Sequence, residues 1–132
     1  MSESDLLSHI YARSAKLREK FPQVLVGPGH DCAVVSVGGG AALLKVHQVI
    51  AGAPSPPATP IDLIARKAIA RAVSDIAAAG GTPTAALAAA ALPKGFAHAD
   101  ELFDAMSRWA QHWGCPLVGG DISTGPALAL CV

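Results

Sequence analysis

The longest regular pattern of apolar residues in the chain repeats with the period of an α-helix. Placing the residues from Ile61 onward at intervals of about 100° puts a set of apolar side chains on one stripe. Thr59 can cap the start of this helix, Pro60 suits its first position, and the Gly80-Gly81 pair ends it. The pattern predicts an amphipathic helix with one face on a core, formed by Ile61, Ile64, Ala65, Ala68, Ile69, Ala72 and Ile76.

One carboxylate, Asp75, lies at the margin of this apolar stripe. Burial of an ionised carboxylate costs several kcal/mol unless a cation or hydrogen-bond donors compensate it, so a positively charged partner is expected. Arg71, one turn earlier on the same helix, is one candidate, and a metal ion is the other. Helix geometry alone favours Arg71 and leaves the metal ion open.

The remaining apolar segments predict the other elements. A four-proline segment, Ala53–Pro60, is expected to be an exposed loop. The order of helices and strands predicts a single α+β domain over residues 1–132, with a mostly antiparallel sheet and helices packed on one face. The predicted elements are a helix capped by Ser2 or Ser4 and ending near Lys20, a strand Gln23–Val26, a hairpin of Cys32–Val37 and Ala42–Ile50, a strand Thr84–Leu92, a helix His98–His112, a strand Leu117–Asp121 that runs into a glycine-rich turn, and a strand Pro126–Val132.

The composition excludes several classes of partner. The 132 residues are 52% hydrophobic but only 5% aromatic and 15% charged, and their formal net charge is zero. A neutral chain has no electrostatic footprint for nucleic acid or for an anionic membrane. The longest apolar run, Thr84–Pro93, is too short to span a bilayer. Because much of the apolar content is alanine, the chain is expected to expose apolar surface to a protein partner.

The two ends and the cysteines bear on location and assembly. The N-terminus is acidic and polar, unlike a signal peptide. Cys32, Cys115 and Cys131 have no CxxC spacing, which predicts reduced thiols and a cytoplasmic protein. The sequence ends inside an apolar strand, Ala127–Val132, whereas domains usually end at the surface. We therefore expect the first part of a longer protein, or a module that pairs this strand with another chain.

Three acidic residues stand in settings suited to metal and phosphate. Asp31 follows Gly27-Pro28-Gly29-His30, Asp121 follows Gly119-Gly120, and Asp75 lies near the end of the long helix. Glycines let the backbone approach a bound anion, and carboxylates beside them bind Mg²⁺ together with phosphate oxygens. Each loop alone is equally typical of an ordinary turn. The three together leave a phosphate-and-metal site and ordinary turns as open alternatives.

Four motifs in order resemble the N-terminal half of the thiamine-monophosphate kinase family. That family is related to aminoimidazole ribonucleotide synthetase, selenophosphate synthetase and a hydrogenase-maturation dehydratase. The resemblance covers nearly the whole chain and rests on Gly27–Val35, Ser74–Pro83, Ala91–Pro93 and Val118–Pro126.

The resemblance implies a fold, a reaction and a set of site residues. It implies the N-terminal domain of this superfamily, ATP as a substrate with Mg²⁺, and transfer of the γ-phosphoryl group to thiamine monophosphate. It further implies a second α/β domain, absent from these 132 residues, and a homodimer joined through the sheets. By position, Asp31, Asp75 and Asp121 match metal ligands, and Gly120 with Asp121 matches the nucleotide contact. No catalytic side chain is assigned, since positioning and charge neutralisation carry such a reaction.

The chain departs from the family pattern at several of these positions. His30 replaces the first aspartate of the first loop, Val46 and His47 replace a Thr-Asp pair, and Pro54 replaces a histidine that meets substrate. A neutral imidazole removes a charge that Mg²⁺ favours. These changes support an alternative, a non-catalytic pseudo-enzyme domain that keeps only the dimerising fold, and we expect this chain alone to be inactive.

The same histidines suggest a different metal. Imidazole suits Zn²⁺ and its neighbours, so His30 and His47 with Asp31 are a candidate transition-metal set. The alternative is that both histidines are surface or core residues that arose by sequence divergence and bind no metal.

Overall fold

The structure is a computed structural model that describes residues 2–51 and 59–132. It divides into two compact units, residues 1–45 and 46–132. The predicted proline-rich loop lies outside the described residues, except for Thr59 and Pro60. No helix in the two described ranges is long and apolar enough to cross a membrane.

The first unit combines two helices with a small antiparallel sheet. Helix α1 spans Glu3–Ser14 and α2 spans Leu17–Lys20. The strands pair in the order β1-β2-β3, and they are β1 (Val24–Val26), β2 (Ala33–Val37) and β3 (Gly40–Leu44).

A capping box starts α1 at Ser2, one of the two capping residues that the sequence left open. The Ser2 hydroxyl accepts a hydrogen bond from the Asp5 backbone N–H at 3.2 Å, and the Asp5 carboxylate accepts one from the Ser2 N–H at 2.9 Å. The hydrogen bonds from the Ser2 backbone and side chain lower the pKa of Asp5. No residue of α1 is buried, so its end is fixed by local hydrogen bonds rather than by core packing.

The second unit is a four-stranded sheet with two helices on one face. Its elements are β4 (Gln48–Ile50), α3 (Ile61–Ala78), β5 (Ala86–Leu92), α4 (Ala99–His112), β6 (Leu117–Thr124) and β7 (Ala129–Cys131). The strands lie in the order β4-β7-β5-β6, with β5 and β6 parallel and the other pairs antiparallel. β5 and β6 are parallel because α4 returns the chain to the end of the sheet at which β5 begins, before β6 starts.

The predicted helical stripe forms the centre of the core. Ile69 of α3 and Leu130 of β7 are fully buried, and both belong to one cluster with side chains of α4. The opposite face of the sheet is open, since Ile50 is 62% and Leu87 is 65% exposed. The buried cluster consists of Val49, Ala65, Ala68, Ile69, Ala72, Leu102, Ala105, Met106, Ala110, Leu128, Leu130 and Val132. The α+β class with helices on one face of a mostly antiparallel sheet is confirmed.

The second arm of the predicted hairpin, Ala42–Ile50, is two strands in two sheets. β3 ends at Leu44 and pairs with β2, whereas β4 begins at Gln48 and pairs with β7. Lys45, His47 and Gln48 interrupt the apolar residues near this break, but polar residues also occur in half-exposed strands, so the pattern alone did not divide the segment. Its position is set by a distant partner, since Gln48 is in register with Cys131.

The strand predicted over Leu117–Asp121 is longer in the structure, and Gly119 and Gly120 lie inside β6 rather than in an ordinary turn. The strand continues to Thr124 in register with β5. The glycines therefore serve a close strand pair rather than a reversal of the chain.

Candidate nucleotide and metal site

Gly120 lies where β6 comes very close to β5. A Cβ atom built on Gly120 would stand 1.7 Å from the carbonyl oxygen of Ala88 and 2.8 Å from its carbonyl carbon. Gly120 is not among the described residues with positive φ, so the requirement for glycine comes from the neighbouring backbone. Sequence reasoning assigned Gly120 to nucleotide contact and missed this packing reason.

Asp121 follows on the same strand and is exposed. It is in register with Ala89 of β5, on the strand that forms one edge of the four-stranded sheet. The facing positions 88–90 of β5 are alanines. An exposed carboxylate beside a glycine-rich backbone has the character of a ligand for a phosphate-bound cation.

Asp75 lies in the last turn of α3 and is half-buried, as its place beside the apolar stripe predicted. The structure places His47 beside it, with His47 Nδ1 at 3.7 Å from Asp75 Oδ2. The exposed fractions of the two side chains are 24% for His47 and 27% for Asp75. The transition-metal hypothesis included His47 but did not include Asp75 as its neighbour.

Asp31 belongs to the first unit and is exposed in the loop between β1 and β2. Gly29 of this loop has a backbone φ of +121°, a conformation that residues other than glycine rarely adopt. His30 is exposed as well, while Cys32 is buried at the start of β2. The loop therefore presents the Asp31 carboxylate at the surface.

The fit of a divalent cation differs between these positions. In the part of the chain that the structure describes, no three His, Cys, Asp or Glu side chains come together to hold a metal ion. Mg²⁺ takes oxygen ligands, often only one or two carboxylates beside phosphate oxygens and water, which suits Asp31 and Asp121. Asp75 has an imidazole as its neighbour, which suits Mg²⁺ poorly. Pro54, at the substrate position, lies outside the described residues.

A polar contact between α3 and α4 was not predicted from the sequence. Asp62 accepts hydrogen bonds from the Arg108 guanidinium and, at 3.0 Å, from the Trp109 indole N–H. The Arg66 guanidinium lies over the Trp109 ring, 5.4 Å from its centroid. The partners of Asp62 are more than 40 residues away along the chain, so no local pattern predicts this contact. This contact fixes the two helices against each other.

A cavity of about 900 Å³ opens near the N-terminal ends of α3 and α4. Its lining is mostly apolar, and its charged or polar members are Thr59, Lys67, His98 and Glu101. Its size is within the range of small-molecule sites. Since α3 rises about 1.5 Å per residue, its cavity-lining residues Ile61–Lys67 lie about 12–21 Å along the helix from Asp75, so the cavity is a separate feature.

Comparison with known proteins identifies the family. Residues 29–132 match the family described as AIR synthase related protein, N-terminal domain. A thiamine-monophosphate kinase of Synechococcus elongatus is 32% identical over 112 residues, which are 79% of this chain and 33% of that protein. The chain therefore spans about a third of that relative's length.

Solved structures agree with this match. A crystal structure of a Thermus thermophilus protein has a TM-score of 0.78 at 28% identity and covers 98% of this chain and 42% of its own. AaThiL, solved with AMPPCP and TMP, has a TM-score of 0.76 and covers 99% of this chain and 42% of its own. Its identity of 23% shows a shared fold alone. The resemblance seen in the sequence is confirmed: the chain belongs to the AIR synthase related family as an N-terminal domain of thiamine-monophosphate-kinase-like sequence.

Proposed function

We propose that this chain is the nucleotide- and Mg²⁺-binding part of an enzyme that transfers the γ-phosphoryl group of ATP to thiamine monophosphate. The observation that carries the proposal is the exposed Asp121 on the glycine-rich edge strand β6. The relative with the shared fold was solved with AMPPCP and TMP, a nucleotide analogue and the expected substrate.

Each proposed site residue has a defined task. By the resemblance, Asp31, Asp75 and Asp121 would each offer a carboxylate oxygen to a metal ion, with Asp75 beside His47. Gly120 keeps β6 close to β5 at the position next to Asp121. Bound Mg²⁺ neutralises charge on the transferring phosphoryl group. The role proposed for these residues is to position the phosphate oxygens.

Calorimetric titration of the 132-residue chain with Mg-ATP tests this proposal. Asp121→Asn is expected to weaken binding by about tenfold or more, which corresponds to about 1.4 kcal/mol. Because Asp121 is exposed, the substitution should leave the unfolding transition unchanged. Asp104→Asn, an exposed aspartate on α4, is the matched control and should bind as the wild type does. Equal affinity of all three proteins, or no binding by the wild type, would contradict the proposal.

The proposed assembly is a homodimer joined through the four-stranded sheet. Ile50, Leu87, Val118 and Ile122 are 62%, 65%, 65% and 77% exposed, so the open face and edge of the sheet present apolar surface. Such surfaces associate with a partner or aggregate, and a stable interface buries more than about 1,200 Å². Light scattering should show a dimer that Leu87→Lys converts to a monomer. Leu63→Lys, at a 50% exposed site on α3, should remain dimeric; a monomeric wild type at micromolar concentration refutes the proposal.

A second candidate is a non-catalytic dimerising domain. The imidazole of His47 beside Asp75, where an oxygen ligand would suit Mg²⁺, favours it. In both cases we expect no thiamine diphosphate from Mg-ATP and thiamine monophosphate with this chain alone. Product above a no-enzyme control would contradict that expectation. A dimer that fails to bind Mg-ATP supports the second candidate.

The three cysteines are unbridged, which agrees with the proposed cytoplasmic location.

A further inference from the structure

The pair formed by His47 and Asp75 is held by backbone on both sides. His47 exchanges two backbone hydrogen bonds with Val132, of 2.8 and 3.0 Å, which extend the pairing of β4 with β7. The Asp75 carbonyl accepts the N–H of Ala79 at 3.1 Å at the end of α3. Both side chains are about three-quarters buried. The backbone that carries each of these two side chains is therefore fixed by hydrogen bonds.

The separation between the two ligand atoms is informative. Nδ1 and Oδ2 are 3.7 Å apart, longer than the usual N–H···O hydrogen bond of about 2.7–3.2 Å. Two ligands bound at about 2.1 Å to one tetrahedral ion stand about 3.4 Å apart. Adjacent ligands of an octahedral Mg²⁺ at the same bond length stand about 3.0 Å apart. The observed separation is closer to the tetrahedral value.

The chemistry of the donors points the same way. A neutral imidazole and a carboxylate are typical ligands of Zn²⁺ and neighbouring transition metals, whereas Mg²⁺ prefers oxygen alone. We propose that His47 and Asp75 form the protein half of an open, four-coordinate transition-metal site of the Zn²⁺ type. Water or phosphate oxygens complete the coordination, because no group of three ligand-type side chains forms within the described ranges. This site does not depend on the proposed phosphoryl transfer.

The chain contains a second histidine–carboxylate pair that serves as a comparison. His98 Nδ1 and Glu101 Oε2 are 3.1 Å apart, and the side chains are 62% and 60% exposed. That distance is a direct hydrogen bond, and the exposure gives the two groups little fixed geometry. We therefore expect His98 and Glu101 not to bind the metal.

Titration of the whole chain with Co²⁺, followed by visible absorption, tests the site. We expect the intense absorption of four-coordinate Co²⁺ to saturate at one ion per chain. Zn²⁺ should displace it, and excess Mg²⁺ should not. His47→Gln and Asp75→Asn should each lower Co²⁺ affinity by about tenfold or more, whereas the control His98→Gln should match the wild type.

Several results would overturn the inference. They are the weak absorption of six-coordinate Co²⁺ in the wild type, displacement by Mg²⁺, or an equal loss of affinity in His98→Gln. Circular dichroism checks that the variants are folded, and if one is not, the wild-type spectrum and the Mg²⁺ competition decide alone. A chain that binds Co²⁺ as expected but not Mg-ATP would refute the proposed function and leave this site standing.

Discussion

Substitution of Gly120 by alanine is the sharpest test of how the glycine-rich segment works. The change adds one methyl group and leaves charge and hydrogen-bonding groups unaltered. The added Cβ would stand 1.7 Å from the Ala88 carbonyl oxygen and 3.2 Å from the Ala88 nitrogen. These are backbone atoms of β5, a strand paired on both sides. No side-chain rotation can relieve the contact, so β6 must move away from β5.

The expected magnitude follows from the packing. Gly120 is exposed, but its added methyl group would overlap the backbone of β5. Inserting a methyl group where atoms already touch usually costs about 1–3 kcal/mol, and a contact with backbone lies at the upper end. The opposing gain from replacing a glycine of ordinary φ by alanine is about 0.4–1 kcal/mol. We therefore expect Gly120→Ala to lower the free energy of unfolding by about 2 kcal/mol or more.

The neighbouring glycine supplies the control. A Cβ on Gly119 would stand 3.3 Å from Cδ2 of Leu87, a side chain that is 65% exposed and free to turn away. Gly119→Ala should therefore stay within about 1 kcal/mol of the wild type. Urea unfolding of the three proteins, analysed for midpoint and slope, measures both changes. Equal stability of Gly120→Ala and Gly119→Ala would show that the Ala88 backbone does not require glycine at position 120.

Three further predictions concern the core, the helix pair and a buried thiol. Leu130→Ala removes a fully buried side chain and should lower the free energy of unfolding by about 2–5 kcal/mol, while the exposed Leu87→Ala changes it by about 0.5 kcal/mol at most. Asp62→Asn weakens the contacts with Arg108 and Trp109. Because the carboxylate is 45% exposed, the free energy of unfolding should fall by only about 1 kcal/mol. The control Asp104→Asn should leave it unchanged. Burial raises the pKa of the Cys115 thiol above 9.0, so the folded state binds the proton more tightly than the unfolded state. The contribution of this thiol to the free energy of unfolding should be constant below pH 9.0 and should be lost as the pH rises towards the higher folded pKa. Cys115→Ala should remove this part of the pH dependence. An unchanged pH profile in that variant would contradict the assignment.

The sequence determined the elements whose signal is local. The apolar period from Ile61 to Ile76 fixed which face of α3 is buried, because residues three and four apart share a side of any helix. A cap at Ser2 or Ser4 could be predicted in the same way, because a capping residue bonds to a residue three positions on, and the structure has it at Ser2. The motifs around Asp31, Asp75 and Asp121 identified the family without any coordinates.

The tertiary structure decided everything that depends on distant partners. The segment from Ala42 to Ile50 carries Lys45, His47 and Gln48 between its apolar ends, a pattern that fits one strand or two. The pairing of Gln48 with Cys131 divides it. The need for glycine at position 120 arises from the backbone of Ala88, and the meeting of His47 with Asp75 arises from the packing of α3 beside β4. Local period specifies which face of an element is apolar, but not which other element will cover it. That choice is made by the collapse of the whole chain, because each contact of this kind forms only when the others form with it.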